Sequence, residues 1–361
     1  MLIKVYETNN GWLGDCVGVI DEYNSLNFTK SFKGVGSFTI KGNYSKEIEE
    51  LLKPDRIISI TPKLCGVIHS FEVQCNQNGE ETYTAYGMEL KGILAWRIVW
   101  NTLSDDTTVV SYIEKIVMSN AMGNERRLIS SAQLAEFETG KISKQVSYKN
   151  LQETIQEIVE NNDSSKGLPI GYDIYINQEM NQTVFEVLEG EDRTASSDSP
   201  IIFSREFDNI TDMTYTLSKK DSVNTVLCAG EGEGDARTLV SIIPDDWGFA
   251  RKEAFVDARE LRSTYKDAET DEEIVLTPEE YKAQLLNKAK ESLVADVANV
   301  GANAVLLDDA TKLLGAKITV LDKKLNIMAD DYIAEINLID EADGLQTTLS
   351  IGNDIQARRI L

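Results

Sequence analysis

The chain has 361 residues, 42% of them hydrophobic, and a formal net charge of −24 with a single histidine. The hydrophobic share supports packed cores and excludes a wholly disordered chain, and the length points to two or three domains. So acidic a surface repels phosphate and disfavours tight binding of nucleic acid or anionic membrane, although an acidic wall suits a channel past which DNA slides.

No apolar run reaches the ~18 residues of a membrane-spanning helix. The start, MLIKVYETNN, reads as a strand and lacks the apolar core of a signal peptide. Cys16, Cys65, Cys75 and Cys228 show no paired spacing, which fits folding in a reducing cytosol without a disulfide framework or a zinc site.

Residues 1–100 read as β. Strand patterns occupy Leu2–Tyr6, Ser25–Phe32, Gly36–Ile40 and Arg56–Thr61, with a short helix at Lys46–Leu52 stopped by Pro54. Short strands with regular turns predict a small barrel or sandwich. In Gly66–Gly87, Val67, His69, Phe71, Val73 and Cys75 alternate with Ser70, Glu72 and Gln74, and Asn78-Gly79 supplies a hairpin turn. After Gly87, Leu90, Ile93 and Leu94 have helical spacing, and Trp96 and Trp100 flank Arg97.

Residues 101–200 read as a mixed α/β unit. Ser104 is the expected N-cap of a helix carrying Asp105 and Asp106 in its first turn and an apolar stripe of Val109, Tyr112, Ile113 and Ile116. A second helix is expected over Lys149–Asn161, then strands at Gly171–Ile176 and Thr183–Leu188, and a loop at Thr194–Pro200.

From Ile201 the pattern returns to β at Ile201–Ser204, Met213–Ser218 and Asn224–Ala229. Between Glu231 and Glu280 stand 15 acidic and 6 basic residues. Thr277-Pro278-Glu279-Glu280 opens a helix through a capping box, with Tyr281, Leu285, Ala289, Leu293 and Val297 as its buried stripe and Gly301 as its expected end. Ala316–Leu361 is β. There the hairpin design recurs: Tyr332, Ala334, Ile336 and Leu338 alternate, Asp343-Gly344 turns, and Leu345–Ile351 returns to Gly352. Two hairpins of one design point to two related β-domains, against the plain alternative that such turns are common.

Candidate chemistry is sparse. Gly230–Gly234 lacks the spacing of a phosphate loop, and its two glutamates oppose an anion. A calcium loop is the sharper reading and a flexible turn the preferred one. His69 is the one histidine a Ser–His–Asp triad could use, but its strand placement reads as a half-buried residue with a backbone partner. Glu189, Glu191 and Asp192, beside Arg193, are close carboxylates that read as solvated turn residues rather than a glycosidase pair. Trp96 and Trp100 could stack on a base or sugar, yet packing at a domain junction is the preferred reading. No catalytic, cofactor-binding or metal-ligating residue is therefore assigned.

Several stretches in order resemble one family. They are the first hairpin with Leu90–Arg97, RRLISSAQ (Arg126–Gln133), YKNLQETIQEI, EGEDRT (Glu189–Thr194), FSREFDNITDMTY (Phe203–Tyr215) and NTVLCAGEGEGDAR (Asn224–Arg237). Together they resemble the tail-hub or baseplate-hub proteins of long-tailed bacteriophages and prophages, including the hub part of tail-associated proteins. The resemblance implies a homotrimer in which each chain gives two β-barrel domains, so that the ring has pseudo-sixfold symmetry. It also implies partners: a distal-tail or tail-tube protein on one face, a spike, fibre or tail-tip protein on the other, and a lumen passing DNA and the tape-measure protein. A chain of this kind assembles in the host bacterial cytoplasm into the virion tail, without specific nucleic-acid binding or membrane insertion. Unlike the larger tail-associated members, a chain of this pattern is expected to carry no peptidase or lysozyme part after the second β-region, so the resemblance does not imply lysis.

The expected fold class is α+β, mainly β: two related small β-barrel domains, an α/β domain between them and a helical insertion in the second barrel. The expected boundaries are 1–100, 101–200, 201–245 with 315–361, and an insertion at 246–314. The expected role is that of a structural hub rather than an enzyme. The alternatives are a carbohydrate- or receptor-binding module using Trp96 or Trp100, and a hydrolase using Glu191, Asp192 or His69.

Overall fold

The computed structural model describes residues 1–9, 12–123, 127–218, 220, 222–244, 248–266, 273–293, 297–305, 310–324 and 326–352. Arg126 of the family-like stretch, parts of the acidic run and the C-terminal end of the last β-region lie outside the described residues.

The N-terminal region forms β1 (Ile3–Asn9), β2 (Trp12–Ile20), β3 (Ser25–Ser31), β4 (Ser37–Asn43), helix α1 (Lys46–Leu51), β5 (Ile57–Thr61), β6 (Leu64–Cys75) and β7 (Glu81–Glu89). Alternation sets these strands: Leu26 and Phe28 of β3 and Phe38 and Ile40 of β4 are buried, with more exposed residues between them. A 3-10 turn at Leu90–Trp96 leads out.

The middle region holds β8 (Leu103–Thr108), α2 (Val109–Val117), β9 (Ser131–Gln133), β10 (Lys141–Val146), α3 (Leu151–Asn161), β11 (Ile170–Asn177) and β12 (Gln182–Glu189). The expected helix start at Ser104 is corrected here. Leu103–Thr108 pairs antiparallel with β10, and Thr108 is the N-cap, its Oγ1 accepting from the Ser111 N–H at 3.2 Å. Asp105 and Asp106 therefore sit on a strand, because pairing with a distant segment overrides a locally plausible cap. Helix α3 begins as expected, with Asn150 accepting from the Glu153 N–H at 3.2 Å.

The C-terminal region holds β13 (Asp192–Arg193), β14 (Ile202–Ser204), β15 (Asp212–Ser218), β16 (Thr225–Ala229), β17 (Leu239–Ile242), β18 (Glu253–Asp257), β19 (Thr264–Lys266), β20 (Glu273–Val275), α4 (Pro278–Lys290), β21 (Val297–Val305), β22 (Lys317–Asp322), β23 (Ile327–Glu341) and β24 (Gly344–Ile351). The capping box of α4 is present: the Thr277 N–H reaches Glu280 Oε2 at 2.8 Å and the Glu280 N–H reaches Thr277 Oγ1 at 3.3 Å. Tyr281, Leu285, Ala289 and Leu293 are buried against β16 residues Val226 and Cys228. The helix stops at Lys290, well before Gly301, because Val297–Val305 is taken up as a strand between β15 and β24.

The fold is mostly β, but the two expected barrels are not closed. Strands from both ends of the chain form one open 14-stranded sheet, with the path β15-β21-β24-β23-β3-β4-β7-β6-β5-β1-β2 and β13, β14 and β22 beside it. The edge on which the N-terminal strands would have to close is taken by the C-terminal hairpin: β3 pairs with β23 from Ser31↔Glu335 to Ser25↔Glu341. One core lies along this sheet and mixes Phe28, Phe38 and Ile68 with Ile333, Ile336 and Leu349. A second core joins Leu90 and Ile93 to the buried faces of α2, α3 and β11.

Candidate functional site

The residues singled out for chemistry stay apart. His69 is exposed rather than half-buried, because a bulge between Ile68 and Ser70 breaks the alternation that placed it inward; its ring Nδ1 lies 3.3 Å from Ser70 Oγ. Glu189 pairs with Lys166 at 2.9 Å and Glu191 with Arg193 at 3.0 Å. Asp192 accepts from the Thr194 N–H at 3.0 Å, a bond that holds its carboxyl below its ordinary range. Glu191 and Asp192 brace their own turn, and Glu189 ties it to the segment of Lys166.

In the glycine loop, Glu231 turns away to accept from Ser263, and its own N–H donates to the Tyr281 hydroxyl at 2.8 Å. Gly232 (φ 104°) and Gly234 (φ 53°) supply left-handed turns. Among the described residues, no group of three or more His, Cys, Asp or Glu is placed to hold a metal ion. Trp96 and Trp100 are 46% and 55% exposed, not packed into a junction. Trp96 borders a cavity of about 330 Å³ with Asp55, Ile93 and Leu128.

A buried charge cluster ties the middle region to the sheet, and the sequence reading missed it. Lys30 on β3 is 5% exposed; its Nζ lies 2.7 Å from Asp173 Oδ2 on β11 and 3.3 Å from Glu89 Oε1. Glu89 Oε2 accepts from the N–H groups of Ser31 at 3.2 Å and Gly36 at 2.9 Å. Lys91 donates to the carbonyls of Ser31 and Tyr172. Burial works against the charge on Lys30, but Asp173 and then Glu89 outweigh it and raise its pKa. For Lys91 burial wins and lowers the pKa. The available signal was a lysine at an apolar position: Lys30 continues the alternation of Leu26 and Phe28, and Lys91 lies between Leu90 and Ile93.

The sheet repeats its own geometry. Across the N-terminal part a row of paired residues runs Phe28–Phe38–Gly87–Ile68. Across the C-terminal part a row runs Met213–Ala302–Ile351–Ile333. Beyond Ile68 its carbonyl accepts from the Asp55 N–H and its N–H donates to Arg56; Ile333 does the same with Gly315 and Ala316. Asp55 (φ 68°) and Gly315 (φ 83°) share the left-handed conformation at this point. Both hairpins carry a bulge there, between Ile68 and Ser70 and between Ile333 and Glu335.

The two parts differ at their margins. The second half of β23 pairs with β3, whereas among the described residues Ser70–Cys75 of β6 pairs only with β7. Likewise β15 pairs only with β21. Val73 is 46% exposed on its open margin, while Leu338, at the same place beyond its bulge, is 6% exposed.

The family described as Siphovirus ReqiPepy6 Gp37-like protein matches residues 3–353, and the chain belongs to it. No curated protein matches the sequence. Among solved structures, the tail protein from Neisseria meningitidis MC58 is similar at TM-score 0.55 and 14% identity, covering 98% of this chain and 97% of that one. The 43 kDa tail protein of prophage MuSo2 from Shewanella oneidensis is similar at TM-score 0.53 and 11% identity, covering 97% and 98%. Prophage tail protein gp18 from Listeria monocytogenes EGD-e is similar at TM-score 0.52 and 10% identity, covering 97% and 94%. At these identities the likeness is one of fold, and the fold is that of phage tail proteins.

Proposed function

We propose that this member of the Siphovirus ReqiPepy6 Gp37-like family is a structural hub of a phage tail tip or baseplate. Three copies form a ring with pseudo-sixfold symmetry. One face receives the tail tube or distal-tail ring, the other carries the spike, fibre or tip protein, and DNA and the tape-measure protein pass through the middle. The protein is made in the bacterial cytoplasm and resides in the virion.

One observation carries this reading. The rows through Ile68 and Ile333 share their partners' order, their bulge and their left-handed residue. On that basis residues 1–100 form one β-unit and β15 with β21–β24 the related second one, 101–200 is an α/β unit, and the insertion in the second unit ends before β21, short of the expected residue 314. A chain with two like units lets a trimer present six like positions, which is what a sixfold partner requires. The net charge of −24 suits a lumen that DNA must traverse without sticking.

Light scattering coupled to size exclusion tests the reading. A mass three times that of the 40.2 kDa chain supports it. A strict monomer at high concentration, alone and with its tail partners, refutes it. Exposed Trp96 and Trp100 favour a second reading, a carbohydrate- or receptor-binding surface. Glycan binding lost in a folded Trp96→Ala variant supports that alternative.

A further inference from the structure

We infer that the open margin of β6, Ser70–Cys75, is the docking site for β15 of a second copy of this chain, in the register that β3 already makes with β23. The inference deepens the hub reading and rests on it for the closed ring, but the docking edge stands on the strand pairing itself.

An unpaired strand margin is a row of N–H and C=O groups that seeks a partner. Two such margins, on β6 and β15, stand at the ends of the two repeated rows, and the internal seam shows how they fit. The bulges place Ser70, Phe71, Glu72 and Val73 where Glu335, Ile336, Asn337 and Leu338 stand. The rows place Met213 of β15 where Phe28 of β3 stands. In the seam, Leu338 is opposite Phe28 and Glu335 is opposite Ser31. Transferring that register puts Val73 opposite Met213, Glu72 opposite Thr214 and Phe71 opposite Tyr215.

The exposure of Val73 is what this pairing removes. Leu338 is 6% exposed with β3 beside it, whereas Val73, with no strand there, is 46% exposed. Phe71 stacks on Tyr83 at 5.7 Å between ring centroids and is only partly buried, whereas Ile336 is fully buried. The occupant is a copy of this chain because the matching margin, β15, is on the chain itself and does not pair with its own β6, from which the internal seam separates it in the sheet. The two surfaces differ, so the contact is head-to-tail. Such contacts close into a ring or run on as a filament.

Cysteine cross-linking tests the register. Residues directly opposite on antiparallel strands have Cβ atoms about 4.5–5.5 Å apart. In a background where exposed Cys16 and Cys75 are serine, the pair Val73→Cys with Met213→Cys should oxidise into chain-to-chain links. Val73→Cys with Thr214→Cys, one position out of register and on the opposite face, should link far less. Either single variant should not link to itself, but the two mixed should link to each other.

Hydrogen exchange on the unmodified protein gives a reading that needs no substitution: amides of 70–75 and 212–218 should gain protection on assembly. A trimer that forms without the in-register link and without this protection overturns the docking edge and leaves the hub reading standing. Links in register that run beyond three chains support the edge and overturn the closed trimer. A protein that stays monomeric and unlinked at high concentration overturns both.

Discussion

Lys30 carries the sharpest stability prediction, because its ammonium holds two buried carboxylates at the junction of β3, β7 and β11. Lys30→Met keeps much of the side-chain volume and removes the charge. Asp173, 2% exposed, and Glu89, 1% exposed, then lose the cation at 2.7 and 3.3 Å. Breaking a buried pair from one side costs about 3–5 kcal/mol, mostly from the charge left behind. Replacing Lys30 and Asp173 together costs less, since the nearer carboxylate is no longer stranded and Glu89 keeps Lys91 at 3.6 Å. Lys30→Met should therefore lower urea stability by about 3 kcal/mol or more, and the double variant Lys30→Met with Asp173→Asn should recover a large part of it. Equilibrium denaturation of the single and double variants closes the cycle. A loss under ~1 kcal/mol for Lys30→Met, or losses that simply add in the double variant, would refute a coupled buried pair.

Three further outcomes are expected. Gly87→Ala builds a Cβ 2.1 Å from Phe38 Cζ and 2.3 Å from the Val67 carbonyl oxygen; at least ~1–3 kcal/mol of stability should be lost, read by the urea midpoint. Thr277→Ala removes the capping box and should cost about 1 kcal/mol, seen as faster amide exchange in the first turns of α4. Burial alone would raise the pKa of Glu291, but Lys144 at 2.6 Å and Lys288 at 3.0 Å override it and hold it down at about 2 against an ordinary 4.5. A depressed folded-state pKa stabilises above the unfolded value, so this contribution should fade as pH drops from about 4.5 towards 2. Urea titrations across that window should show a shallower pH slope for Glu291→Gln than for the parent; equal slopes would count against the pairing.

Much of the local structure was legible in the sequence. The period of two marked β3 and β4, strand patterns were legible at β11 and β12, and the capping box marked the start of α4, because these signals need only near neighbours. The two turns at Asn78-Gly79 and Asp343-Gly344 were legible too, since Gly79 (φ 81°) and Gly344 (φ 103°) adopt a backbone that other residues resist. Local signals failed where a distant strand intervened. Ser104 looked like a cap until β10 paired with its segment, and the stripe from Tyr281 ran on through Val297 until β15 and β24 claimed 297–305. His69 was placed inward because a bulge leaves no mark in a pattern of two.

The residues alone determined that this chain would be mainly β, acidic and built around two hairpins of one design. Alternation, turn chemistry and charge are properties of short stretches, and the hydrophobic effect acts on them wherever they end up. Only the tertiary structure decided that β23 pairs with β3. That bond row joins Ile336 to Lys30 across most of the chain length, turns two expected barrels into one open sheet, and leaves Ser70–Cys75 as a bare margin. Which margin is filled and which is left open depends on how unpaired backbone groups from remote segments meet, and no local pattern records that.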